Sequence, residues 1–252
     1  MKYFIHHGDR VIQQILKRVK KGHLPDDREL LHLFRTESRD DFHDLMDAAF
    51  EIKQERSSSV KLTSTIHLTN QCQVTPKCGY CGFAAGTSKS GYYHPFFKTS
   101  DDILHAARVI RDSGIPRVSC SGAHGYQGEH AVTAARIVKE YTDLELLVNV
   151  GSDLTHSSLH RLKQYGTDTV CCNLETVNPA LFSRVKPGEN LQSRITTCRM
   201  ITECGIELSS GLLIGIGESY EDRIAHLRFL QRFSSLGEIP IMGFQPYRGT
   251  PM

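Results

Sequence analysis

The spacing of apolar residues changes once along this chain. Near the start, Ile12, Ile15, Leu16 and Val19 fall at i, i+3, i+4 and i+7, and a segment opening at Asp26 carries Leu30, Leu31 and Phe34. This period predicts helices over the first 60 or so residues. From Thr63 onward, short stretches rich in β-formers alternate with amphipathic helical stretches, the sequence form of repeated βα units and a parallel sheet. Six strands are predicted: Ser64 to Leu68, Arg117 to Ser121, Glu145 to Val150, Thr167 to Leu174, Glu207 to Gly215 and Ile239 to Gln245. A helix between the first two carries Ile103, Ala106, Ala107 and Ile110 on one face, with Ser100 and Asp101 as caps and an end near Gly114.

No repeat, low-complexity tract or Pro/Gly/Ser-rich linker separates the βα units. The expected organisation is therefore a helical extension over residues 1–60 followed by one α/β domain over 61–252. With 252 residues, 39% of them hydrophobic, the chain can bury a core of that size. The formal charge of +2 gives no global attraction to nucleic acid or membrane, and the basic run Lys17, Arg18, Lys20 and Lys21 reads as a solvated helix face. The sequence offers no signal or transit segment and no apolar run long enough to span a bilayer, which points to a reducing cytoplasm. In that setting disulfides are not expected, and Cys120, Cys171, Cys172, Cys198 and Cys204 read as small core hydrophobes.

The remaining cysteines are different. Cys72, Cys78 and Cys81 lie within ten residues of one another in the run Thr69-Asn70-Gln71-Cys72-Gln73-Val74-Thr75-Pro76-Lys77-Cys78-Gly79-Tyr80-Cys81, directly after the first predicted strand. Three soft thiolates suit an iron–sulfur cluster with one iron left open for a substrate. Two plainer readings stand beside it: a Cys3His zinc site completed by His94, and a redox pair formed by Cys78 and Cys81. The connection from Gln71 to Lys98 is long for a compact βα array, and such loops are usually functional. In a βα barrel it would also lie on the active face.

Taken with four further segments in the expected order, each read at the C-terminal end of a predicted strand, the cysteine run resembles the radical S-adenosylmethionine superfamily from about residue 40 to the end. Within it, the chain is similar to the biotin synthase-like group that includes the hydrogenase maturases. The resemblance implies a TIM-type (β/α) barrel, here a partial one with six βα units that lacks the last strands, since Gly249-Thr250-Pro251 resembles the family's strand-six signature. It implies a [4Fe–4S] cluster on Cys72, Cys78 and Cys81 whose open iron chelates S-adenosylmethionine, with Tyr80 near adenine. Ser121-Gly122-Ala123-His124 resembles the Gly-Gly-Glu motif, whose backbone would meet the methionine amino group at Gly122 and Ala123. Asn173 and Glu175, in Asn-Leu-Glu-Thr, would bond the ribose; their alternative reading is a helix cap before Asn178. Arg194 resembles the arginine that pairs with the methionine carboxylate, its alternative being an exposed surface arginine. Ile214, Gly215 and Ile216 lie in a strand-five signature beside adenine.

The implied activity is reductive cleavage of S-adenosylmethionine to a 5′-deoxyadenosyl radical that takes hydrogen from a small-molecule substrate, with a low-potential electron donor as partner. The superfamily's usual spacing is C-x3-C-x2-C, and the five residues between Cys72 and Cys78 resemble instead the HmdB-type (HcgA) maturase linked to the iron-guanylylpyridinol cofactor of mononuclear iron hydrogenase. That likeness implies a pyridinol precursor as substrate. Three rivals are a sulfur inserter with a second cluster on Cys120 and Cys171 or Cys172, a simple electron carrier, and an RNA-modifying enzyme. The last would need an added nucleic-acid domain.

Overall fold

The computed structural model describes residues 9–57, 59–83 and 94–252; the stretch 84–93 of the long loop after the first strand lies outside them. The chain divides into two compact units, Met1–Val60 and Lys61–Met252.

The first unit holds α1 (Arg10–Val19), α2 (Asp27–Phe34) and α3 (Arg39–Arg56). Ile12 and Leu16 pack with Ala48, as the helical spacing requires. Asp26 starts α2 with a capping box completed by Glu29. Arg18 pairs with Glu29, and Lys20 lies 2.7 Å from Glu51, so members of the basic run are spent on ion pairs of the same unit.

The second unit is a parallel α/β sheet. In chain order its elements are β1 (Thr63–Thr69), α4 (Ser100–Asp112), β2 (Arg117–Gly122), α5 (Glu129–Tyr141), β3 (Glu145–Asn149), α6 (His156–Gln164), β4 (Thr169–Cys171), α7 (Pro179–Val185), α8 (Leu191–Glu203), β5 (Glu207–Ser209), β6 (Leu212–Ile214), α9 (Tyr220–Leu230), β7 (Leu236–Glu238) and β8 (Ile241–Gly243). The main sheet runs β1-β2-β3-β4-β5-β7 with every pairing parallel, and β6 pairs with β8, also parallel. The cap of α4 is Thr99, which forms a capping box with Asp102, one residue earlier than the sequence suggested.

The fifth predicted strand is broken into β5 and β6 at Ser210-Gly211, and the sixth, expected over Ile239 to Gln245, is matched by β8 alone, with β7 lying before it and outside the predicted range. Ser210-Gly211 lies opposite Ile239-Pro240, which separates β7 from β8. Pro240 has no N–H to give the ladder, and its carbonyl lies where a side chain on Gly211 would stand: a Cβ there would be 1.8 Å from the Pro240 oxygen. Hydrogen bonds continue on both sides of the break, from Ser210 N to Glu238 O and from Leu212 N to Pro240 O, both at 3.0 Å. β6 and β8 thus prolong β5 and β7. Likewise β4 is shorter than predicted, and its pairing resumes only as a single bridge between Glu175 and Leu212.

Strand alternation decides which residues face the helices. Ile66, Leu68, Val118, Cys120, Leu146, Val148, Val170, Cys172 and Leu208 share one buried cluster with helix residues such as Ile103, Ala107, Leu159 and Ile201. The intervening positions, including Thr65, His67, Ser119, Ser121, Asn149, Thr169, Cys171 and Ser209, form the opposite face. That face is mostly polar. Its N-terminal end is held by Arg117, which is buried, pairs with Glu238, lies 3.1 Å from Glu145 and donates to Thr169 at 3.1 Å. The C-terminal end carries the loops. Among the described residues, no helix is long and apolar enough to cross a membrane, and none of the eight cysteines is joined in a disulfide.

Candidate active site

The cysteine run leaves the C-terminal end of β1 and is fastened at several points. Asn70 receives the Phe96 N–H at 3.1 Å and donates to the His94 carbonyl at 3.0 Å, which ties the start of the run to the far side of the loop. Gln73 N donates to His124 O at 2.9 Å and Gly79 N to Val185 O at 2.8 Å. The stretch Val74 to Pro76 lies against Gly188: a Cβ on that glycine would stand 2.1 Å from the Pro76 carbonyl oxygen and 2.7 Å from the Val74 side chain. The longer Cys72–Cys78 gap therefore has its own seat in the loop between α7 and α8.

Cys78 is buried, and Cys72 and Cys81 are partly exposed. Burial pushes the Cys78 thiol up to about 11, and the nearby Lys186 ammonium is the strongest opposing influence. Among the described residues, no three His, Cys, Asp or Glu side chains are close enough together to hold a single metal ion. His94 is exposed and meets Asn70 through its carbonyl. The donor set fits a cluster better than a closed zinc site, because a cluster spreads its thiolates over separate irons instead of converging them on one.

Tyr80 points from this run toward β4 and donates its hydroxyl to Glu175 Oε1 at 2.8 Å. Burial, then the Glu175 charge, raises the Tyr80 hydroxyl far above its ordinary range, so it stays a donor. Its ring packs beside an apolar cluster of Leu181, Val185, Leu213 and Ile216, with Met242, Phe244 and Met252 around it. Tyr80 and Ile216, read separately from the sequence, share this shelf. Gly215, at φ +92°, turns the chain so that its N–H and that of Ile216 both meet Glu218, at 3.0 and 2.9 Å. Ile214 ends β6 on the same side.

Asn173 and Glu175 do not cap a helix: Asn178 does that for α7, accepting from Ala180 and Leu181 N–H groups. Asn173 Oδ1 instead accepts from Gly211 N at 2.9 Å, bracing the strand break. Glu175 sits at φ +63°, a conformation side-chain-bearing residues rarely adopt and one often found at functional sites. Its Oε2 is buried with no hydrogen-bond partner, an unusual state for a carboxylate oxygen. Gly122 ends β2, and Ala123 behind it is buried.

Arg194, in the first turn of α8, is buried, so the surface reading fails. Its Nε and Nη2 meet the two oxygens of Glu189 at 2.6 and 3.0 Å, and its Nη1 meets the Asn173 carbonyl at 2.5 Å. Three of its five N–H groups are thus engaged, leaving one on each terminal nitrogen.

Glu189 and Lys186 were not legible as site residues. Glu189 accepts from Arg194, from Lys186 at 3.1 Å and from Ser152 at 3.1 Å, lies 3.6 Å from His124 Nδ1, and receives the Cys78 thiol at 3.6 Å. Burial works to raise its carboxyl, but Arg194 and Lys186 hold it well below the usual carboxylate range. In sequence both sit in the five-residue span between α7 and α8, where charged residues are ordinarily solvated. The only signal was their position flanking Pro187-Gly188.

The cysteine run, the shelf, Glu175 and Arg194 are therefore one connected network at the C-terminal end of the sheet. The model of the radical SAM superfamily matches residues 66–230, which includes all of this network except Met242, Phe244 and Met252. An uncharacterized protein of Methanocaldococcus jannaschii is 56% identical over 93% of this chain, and the match takes in 62% of that protein. Biotin synthase of Acidithiobacillus ferrooxidans is 29% identical over 84% of this chain and 67% of its own length. The chain thus spans about two thirds of these relatives. The crystal structure of methylornithine synthase matches with a TM-score of 0.85 at 21% identity, over 94% of this chain and 69% of that one, a likeness of fold. On these grounds the chain belongs to the radical SAM superfamily, whose members use a [4Fe–4S] cluster and S-adenosylmethionine.

Proposed function

We propose that this chain is the catalytic core of a radical S-adenosylmethionine enzyme that acts on a small molecule, with Cys72, Cys78 and Cys81 holding the cluster. The observation that carries the reading is the continuity of contacts from Cys78 through Lys186 and Glu189 to Arg194, and from Tyr80 to Glu175. A thiolate set, a cation with a free fork and a buried acceptor lacking a donor thus lie within one set of loops.

When bound, the cluster and its cofactor supply reductive cleavage of the sulfonium, giving methionine and a 5′-deoxyadenosyl radical for hydrogen abstraction. The residues of the chain bind and orient. Arg194 presents its two remaining N–H groups to the methionine carboxylate, a planar match that only arginine makes, while Glu189 fixes its other edge. Glu175 Oε2 accepts a ribose hydroxyl, which gives that oxygen the donor it lacks. Tyr80 and Ile216 cover the adenine. Gly122 and Ala123, small enough for close backbone approach, face the methionine amino group, and Gly215 and Ile214 flank the base from β6. Asn173 acts on the ribose only indirectly, through the strand break that it braces. The chain works in the cytoplasm with a low-potential electron donor.

The substrate we infer is a precursor of the iron-guanylylpyridinol cofactor of mononuclear iron hydrogenase. Two features support it over sulfur insertion: the five-residue gap with its seat at Gly188, and the chemistry of the polar sheet face. Cys120 and Cys172 point into the helix-side core, so of the three cysteines available for a second cluster only Cys171 lies on the opposite, polar face. Ser119, Ser121, Asn149 and Ser209 line the rest, and these suit a hydroxyl- or carbonyl-bearing ligand. Deleting the gene in its host tests this assignment. Loss of active mononuclear iron hydrogenase with biotin and thiamin synthesis intact is expected; a biotin requirement with intact hydrogenase would overturn it.

A further inference from the structure

Lys186 is placed where no ordinary lysine is left. Its side chain is 5% exposed, and its ammonium lies 3.8 Å from Cys78 Sγ, 3.1 Å from Glu189, 3.8 Å from Glu175 and 5.4 Å from the centre of the Tyr80 ring. Its backbone is pinned as well: Lys186 ends α7 with its N–H on Phe182 O at 2.8 Å. With two carboxylates and an aromatic face around it, the ammonium cannot turn out to solvent without leaving Glu189 buried and short of a partner.

The contact with Cys78 changes meaning when that cysteine becomes a ligand. As a thiol, Cys78 donates to Glu189 at 3.6 Å. As a thiolate it has no proton to donate, and the same contact sets two anions side by side in a buried place. Lys186, within reach of both, then becomes the donor to each. A hydrogen bond to a ligand sulfur and a fixed positive charge beside it both favour the reduced state of an iron–sulfur cluster, because reduction adds one negative charge.

We propose that Lys186 sets the reduction potential of the cluster, as a buried cation fixed by Glu189 and donating to the Cys78 sulfur. The proposal rests on the reading of Cys78 as a cluster ligand. The step it tunes takes one electron from a low-potential donor into the cluster, with no bond made or broken in the protein. Lys186 is a positioning residue in this account: it touches a ligand and not the reacting atoms.

The test compares the anaerobically reconstituted full chain with Lys186→Met, Lys186→Gln and Lys186→Arg. Iron and sulfide are counted in each, and the reduced-cluster EPR signal is followed through a potentiometric titration with dithionite. Loss of the cation in the Met variant is expected to shift the reduction equilibrium at least tenfold toward the oxidised state, about 59 mV more negative for a one-electron couple. Lys186→Arg should keep most of the parent potential. Should the Met variant fail to hold a full cluster, the Gln variant, which can still bond Glu189, carries the same expectation. A fully loaded Met or Gln variant that titrates with the parent overturns the proposal. Failure of the underlying reading looks different: Cys78→Ala would then retain the parent's iron content.

Discussion

Arg194 and Glu189 form a buried pair whose energetics can be worked from its contacts. Arg194→Ala removes both donors on the Glu189 side edge and the donor on the Asn173 carbonyl. Stranding one member of a buried ion pair costs about 3–5 kcal/mol. Glu189 keeps Lys186 and Ser152 as partners, which places that part near the lower end, and the partly buried Asn173 carbonyl adds about 1 kcal/mol for its lost donor. The expected loss is therefore about 4 kcal/mol, read by urea unfolding of the apo protein under reducing conditions, with circular dichroism as the signal. The double variant Arg194→Met with Glu189→Leu removes both charges and should regain at least half of the loss, since a buried pair replaced by apolar residues is often neutral. Lys186 retains Glu175 in that variant. Both variants should bind S-adenosylmethionine poorly, separating the structural role of the pair from that of the arginine. A single-variant cost below about 1 kcal/mol, the range of exposed pairs, would refute the reasoning.

Other consequences follow from the same contacts. Gly188→Ala would set a Cβ against the Pro76 carbonyl and the Val74 side chain; an overpacking cost of about 1–3 kcal/mol and poorer retention of iron are expected, and thermal unfolding identical to the parent would contradict the seat described for the cysteine run. His226 on α9 is buried with neither ring nitrogen bonded, and burial lowers it to about 4. The unfolded chain binds that proton near pH 6.5, so the contribution of a neutral His226 is complete above pH 6.5 and declines as the pH falls toward 4, by about 3 kcal/mol in all. Unfolding midpoints of His226→Leu should be flatter over that window, and an unchanged pH slope would show that the histidine is not held neutral.

The sheet was largely legible because strand period and turn chemistry act locally. Ile66 and Leu68 flank His67, Val118 and Cys120 flank Ser119, and both pairs pack as alternation demands, as do Leu146 and Val148 on either side of Leu147. The broken strands were not legible: Pro240 breaks its strand only because Gly211 comes from another strand to meet it, and no window of sequence holds both. In the site, the cysteine run with Tyr80 and Glu175 stood out because they follow predicted strand ends, whereas Arg194 stood out by resemblance alone and lies in α8 and not at a strand end. Glu189 and Lys186 did not, since a charged residue in a loop reads as solvated until the fold buries it. Their pairing with Arg194 and Cys78 arises from the return of the α7–α8 loop over the cysteine run, and it also explains why the guanidinium is buried.

The central claim is that Cys72, Cys78 and Cys81 hold one [4Fe–4S] cluster that drives cleavage of S-adenosylmethionine. Its most direct test is iron and sulfide content together with 5′-deoxyadenosine production, measured after anaerobic reconstitution and dithionite reduction, in the parent and in Cys72→Ala, Cys78→Ala and Cys81→Ala. The account predicts four irons and four sulfides per chain and 5′-deoxyadenosine from the parent, with most of the cluster and all of the product lost in each variant. Near-parental cluster content in any one of the three, or stoichiometric zinc in the native protein, would contradict it.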